Sequence, residues 1–189
     1  MTKLGWTIIA LIALGIAAFV SMTSFGGAPV RPEAAAPVAT APGKLLVPVA
    51  GVPRTALASN WGDARGGGTR AHRGLDIVAP LGIPVVAAAP GTIEKLFQSE
   101  LGGTTLYLRS RDRRWTYYYA HLAGYAPGLR EGQAVRAGEK LGYVGDTGDA
   151  GRGNYHLHFS VTKMQPGERW YQGQDVDPYP MLAAGGAGG

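Results

Sequence analysis

The chain has 189 residues, 46% of them hydrophobic, which is enough for one domain with a buried core and too apolar for a disordered polymer. It has no cysteine, which excludes disulfides, thiolate zinc sites, cysteine nucleophiles and a lipidated cysteine anchor. Its net charge of +5 favours anionic polymers or membrane surfaces but falls short of a nucleic-acid-binding module, and its 30 glycines lack the three-residue period of collagen.

In chain order, Lys3 precedes an apolar run whose strict core extends from Ile8 to Val20. With its flanks, residues 1–25 are long enough at about 1.5 Å per residue to match the ~30 Å core of a bilayer. They read as an N-terminal transmembrane helix, an uncleaved anchor, in preference to a signal peptide. Ala39-Thr40-Ala41 lies far downstream for a cleavage site, and Gly26-Gly27-Ala28 is followed by Pro29. Either way the positive end stays inside and the remainder is exported. The expected place is the cell envelope, with the domain on the periplasmic or extracellular side, or secreted if the segment is cleaved. Residues 26–43, with Pro29, Pro32, Pro37 and Pro42, read as a semi-extended linker too short for a folded inhibitory segment.

The domain is expected over 44–182. Leu45-Leu46-Val47-Pro48-Val49 predicts a first strand, and 60–70 a polar, glycine-rich loop. Strands are expected over 75–78, 84–89 and 91–96. A hairpin joins 104–109 to 115–121 around Ser110-Arg111-Asp112-Arg113. Short strands follow over 132–135, 140–145 and 156–161, and a flexible Gly/Ala tail over 183–189. No stretch after residue 25 shows a long 3.6-residue apolar period. The reading is a mainly β domain, a sandwich or small barrel-like sheet.

Four histidines carry the chemistry: His72, His121, His156 and His158. On a strand His156 and His158 share one face, roughly 7 Å apart, with Leu157 on the other. His72 and Asp76 would lie about 13 Å apart on a straight strand. Gly74 and the β-branched Ile77-Val78 argue against a helix, so a bend at Arg73-Gly74 must swing His72 back toward Asp76 if the two act together. By period two, Tyr117, Tyr119 and His121 share a face. A catalytic zinc takes three N or O ligands and leaves a position for water. His72, Asp76 and one of the His156/His158 pair satisfy this, with two imidazoles left for proton transfer. Spacing alone does not choose between His156 and His158.

In this order, His72-x-x-x-Asp76, Tyr119-Ala120-His121-Leu122 and His156-Leu157-His158 resemble the M23 metallopeptidases, the lysostaphin/LytM group of peptidoglycan endopeptidases. The stretches 76–85 and 131–148 resemble the family as well, and the likeness covers roughly 47–163. It implies an antiparallel β-sheet domain of the duplicated-hybrid-motif type. It also implies zinc on His72, Asp76 and His158, with His121 and His156 as catalytic imidazoles beside the activated water. The implied activity is hydrolysis of peptide cross-links of peptidoglycan. Ser160 stands where the family often has an acidic residue, and Asn154-Tyr155 where it often has Gly-Pro. These departures touch no ligand and leave substrate preference open.

Two rival classes are weighed on the same residues. Some relatives have lost metal ligands and act as wall-binding modules or amidase activators, but this chain keeps all five residues. A histidine phosphoryl carrier also uses neighbouring imidazoles, and the export segment and Asp76 argue against it. Partners among cell-division or wall enzymes, and the oligomeric state, are not legible. Arg109, Arg111, Arg113 and Arg114 read as a solvated turn in preference to a polymer-binding patch. Trp61, Tyr118, Tyr155, Trp170 and Tyr171 read mostly as core or rim packing, with a groove for peptide or sugar as the alternative.

Overall fold

The computed structural model describes residues 45–184. The expected membrane segment, the linker and all of the tail beyond Ala184 lie outside those residues. Among the described residues no helix is long and apolar enough to cross a membrane.

The strands are β1 (Ala64–Arg65), β2 (Arg70–Ala71), β3 (Leu75–Val78), β4 (Pro84–Val86), β5 (Gly91–Ser99) and β6 (Gly103–Ser110). They continue with β7 (Trp115–Tyr125), β8 (Ala134–Val135), β9 (Lys140–Val144), β10 (His156–Lys163) and β11 (Gln174–Val176). One helix, α1 (Tyr179–Ala183), follows, and single 3-10 turns occupy Arg54–Ala56 and Gly148–Ala150. β1 and β2 form a two-stranded hairpin, and the other nine strands form one sheet with the path β11-β10-β7-β6-β5-β8. β3 pairs with β10, and β9 bridges β4 and β7. Every pair among the described residues is antiparallel.

The sheet is built by alternation. On β10, Leu157, Phe159 and Val161 are fully buried, and on β3 Leu75 and Ile77 pack beside them. Leu106 and Leu108 of β6, Tyr119 of β7 and Val144 of β9 complete this side of the core. The intervening residues of β10 and β3, namely His156, His158 and Asp76, are left for the opposite face.

The sequence reading of the elements needs correction in several places. Residues 45–49 form no strand: Val49 makes an isolated bridge to Val85, and Val86 N donates to Pro48 O. Pro48 has no N–H to return, so a full ladder cannot form. The polar loop over 60–70 contains the β1–β2 hairpin. Ala183 is not tail but the last residue of α1, whose Leu182 is fully buried; one turn and a half is too short for a helical period to show. Arg109 is not on a solvated turn. It is 2% exposed, and its guanidinium is held by Glu94 and by the carbonyls of Arg113 and Glu168.

Candidate metal centre

The central strand of the site is β10. His158 lies opposite Asp76 of β3 on one side and opposite Ala120 of β7 on the other. The cross-strand position of Asp76 brings its Oδ1 to 3.0 Å from His158 Nδ1. His72 arrives by the bend between β2 and β3, which puts its Nε2 3.0 Å from Asp76 Oδ1 and 2.9 Å from His158 Nδ1. The three donor atoms thus form a nearly equilateral triangle. Ligands 2.0–2.1 Å from a tetrahedral zinc lie about 3.3 Å apart, so the triangle has the size that such an ion needs. Among the described residues this is the group of His, Cys, Asp and Glu side chains that converges on one point.

Outer partners orient two of the donors. His72 Nδ1 lies 2.8 Å from Asn60 O, an acceptor only, so Nδ1 carries the proton and Nε2 offers its lone pair. Asp76 divides its oxygens. Oδ2 accepts from Arg65 Nη2 at 2.6 Å and from Asn60 Nδ2 at 3.1 Å, while Oδ1 faces the imidazoles. Burial pushes the Asp76 carboxyl up, but its contacts with the imidazoles of His158 and His72 outweigh it and hold the group well below the ordinary carboxylate range. It therefore stands ready as an anionic ligand. A single proton between His158 Nδ1 and its two neighbours cannot satisfy both contacts, whereas a divalent cation satisfies all three donors at once. The donor set fits zinc.

His121 and His156 stand beside the triangle, with ring centroids 4.8 Å apart. His156 Nε2 is 3.8 Å from Asp76 Oδ1, farther than the triangle's own atoms. Both rings share the tautomer of His72. His121 Nδ1 is 2.8 Å from Thr147 O and His156 Nδ1 is 2.8 Å from Asn154 O, so both Nε2 atoms are bare. Burial pushes the His121 imidazole below its ordinary pKa, against the raising effect of the Thr147 carbonyl, and the neighbouring His156 and His158 add to the lowering.

His121 does not share a face with Tyr117 and Tyr119, as period two requires. It has φ of +59°, in the left-handed region. The β6–β7 register slips here: Leu106 faces Tyr119 but Thr104 faces Leu122, which leaves an extra residue in β7. β7 also changes partner at this point, from β10 up to Ala120 to β9 from Leu122. The bulge turns His121 to the side of Tyr118 and Ala120, into a cleft of about 600 Å³ that the metal triangle lines. Tyr119 goes the other way, where its hydroxyl accepts from Ala88 N at 2.9 Å.

Residues 70–178 match the profile of peptidase family M23. The chain belongs to that family. An L-Ala--D-Glu endopeptidase of Bacillus subtilis (strain 168) is 39% identical over 132 residues, 67% of this chain and 39% of that protein. The peptidoglycan DD-endopeptidase ShyC of Vibrio cholerae is 32% identical over 54% of this chain and 23% of its own length. The chain thus spans well under half of these curated relatives. Among solved structures, the catalytic domain of lysostaphin from Staphylococcus simulans superposes with a TM-score of 0.55 at 29% identity, over 66% of this chain and 90% of that one.

In this M23 domain several residues of the centre had no signal in the sequence. Asn60 and Arg65 sit in what reads as a polar loop, yet both hold Asp76 Oδ2. Thr147 and Asn154 act through main-chain carbonyls, which residue type does not reveal. Gly74 sits at the bend without a left-handed φ, and what its missing side chain allows is close approach: a Cβ there would lie 2.6 Å from His158 Cε1.

Proposed function

We propose that the chain is a zinc-dependent endopeptidase that hydrolyses peptide bonds of peptidoglycan, with His72, Asp76 and His158 as metal ligands and His121 and His156 as catalytic imidazoles. The observation that carries this reading is the donor triangle with two bare Nε2 atoms beside it. His72, Asp76 and His158 would hold a zinc ion there, which would supply Lewis acidity toward a water, with its pKa brought toward ~7, and toward the scissile carbonyl. His121 and His156, oriented by Thr147 O and Asn154 O, each have Nε2 free to take a proton from water or, once protonated, to deliver it to the leaving amine. The same N–H, when present, stabilises negative charge on the carbonyl oxygen. The L-Ala--D-Glu and peptidoglycan DD bonds named for the two relatives define the substrates to try first. Intact ligands favour this reading over a non-catalytic wall-binding or amidase-activating role. The reading also has the domain working in the cell envelope, with residues 1–25 as its anchor or export signal, on the support of their apolar run.

The test is zinc content together with hydrolysis of purified peptidoglycan, comparing the wild type with His158→Ala. The wild type should bind about one zinc per chain and release muropeptide fragments, and the variant should do neither. A pure wild-type domain that held zinc but cut no peptidoglycan would leave the regulatory role standing instead.

A further inference from the structure

The β1–β2 hairpin places Arg65 directly opposite Arg70. Like charges at such positions repel, so each needs an anion. Arg65 has Asp76. Arg70 has Asp149, whose Oδ2 lies 3.0 Å from Arg70 Nη2. This second pair joins two walls of the cleft, the hairpin and the 3-10 turn Gly148–Ala150, and both residues line the space in front of the metal triangle. The side chains are 48% and 44% exposed, and an ion pair that open to water is weakly held. It yields readily to a better ligand. Asp149 presents to Arg70 what a substrate carboxylate would present.

We propose that Arg70 is a substrate-specificity residue that binds a free carboxylate of the peptide, and that Asp149 is the internal occupant which that carboxylate displaces. The proposal rests on the peptidase reading. A guanidinium fork suits a planar carboxylate and gains less from a neutral carboxamide. The cleft therefore prefers an acidic peptide over its amidated form. Release of Asp149 opens the bridge between the walls as the substrate enters.

The experiment measures kcat and KM on two stem peptides that are identical except that the glutamyl α-carboxylate is free in one and a carboxamide in the other. The wild type should show a KM about tenfold lower for the free acid. Arg70→Gln should erase that difference, and Arg70→Lys should restore part of it. Asp149→Asn should widen it, because the competitor for Arg70 is gone. A wild type that cuts both peptides with equal KM overturns the inference and leaves the peptidase reading intact. So does an Arg70→Gln enzyme that keeps the preference. Narrowing of the preference in Asp149→Asn also overturns it, since Asp149 would then be assisting the substrate. A wild type that cuts neither peptide, nor purified peptidoglycan, defeats the peptidase reading and this inference together.

Discussion

Gly74→Ala isolates the packing on which the metal triangle depends. Gly74 has no left-handed φ, so alanine suits its backbone, and the cost is steric alone. The new Cβ would lie 2.6 Å from His158 Cε1, 2.7 Å from His158 Nε2 and 2.8 Å from Phe159 O. Ordinary contact begins near 3.4 Å, so the ring must retreat by about 0.8 Å. The Phe159 carbonyl belongs to the central strand, between β3 and β7, and cannot yield as a surface side chain does. Zinc–ligand distances tolerate about 0.2 Å, and the displacement is several times larger. We expect zinc affinity to fall by at least 100-fold, since disturbing an outer partner alone costs about 10–100-fold. Overpacking should also lower stability of the metal-free domain by about 1–3 kcal/mol. The assay is zinc competition against a chromophoric chelator, with denaturant unfolding of the metal-free protein beside it. Gly124→Ala, where a Cβ meets nothing within 4 Å, is the control and should bind zinc normally. A Gly74→Ala protein with wild-type zinc affinity would refute the argument that close approach at Gly74 sets the position of His158.

Two further predictions concern groups around the triangle. Arg65→Gln removes the 2.6 Å contact to Asp76 Oδ2 and should weaken zinc binding about 10–100-fold by chelator competition, with little change in overall fold; an unchanged affinity would make Arg65 dispensable. The buried His121 has a folded pKa below the unfolded ~6.5, so the unfolded chain binds its proton first, and the metal-free domain should lose stability as pH falls below about 6.5 toward the folded pKa. His121→Asn, chosen because asparagine accepts a left-handed φ, should flatten that part of the melting-temperature profile between pH 7 and 5, and a profile as steep as wild type would count against the burial argument.

The residues that converge in the triangle could be singled out as candidates because their chemistry is written in residue type and in short spacing. Period two alone put His156 and His158 on one face, and the case for a bend at Arg73-Gly74 came from the distance that a straight strand would leave between His72 and Asp76. What joins those segments is register, and register was not legible: nothing in the chain says that Asp76 stands opposite His158 with Ala120 on the other side. The strands themselves were found where β-branched and aromatic residues cluster, as in β3, β7 and β10. They were missed where the strand is short and largely polar, as in β11 and the two-residue β1 and β2. Arg109 was misread for a similar reason. A charged residue next to a turn is ordinarily solvated, and its burial depends on Glu94 and on the Glu168 carbonyl, 15 and 59 residues away.

His121 shows the limit most clearly, because there the local rule gives the wrong side of the sheet. A regular β7 would send its imidazole into the core with Tyr119 and leave the cleft one imidazole short. The bulge costs a left-handed φ at a histidine and an unpaired position in the ladder, of order 1–3 kcal/mol. Some gain must offset that, and the surroundings supply it: His121 N donates to Gly102 O, and Nδ1 donates to Thr147 O. Thr147 is itself fixed, since its hydroxyl donates to Leu122 O and accepts from Thr104 N, the residues paired just past the slip. The same few atoms therefore hold the bulge open and set the tautomer of the ring it presents. His72 and His156 use the same device, an Nδ1 proton given to a main-chain carbonyl. Three imidazoles thus turn bare Nε2 atoms to one cleft through backbone positions alone, so the chemistry of the centre depends on the path of β7 and the loops around it as much as on the identity of the histidines.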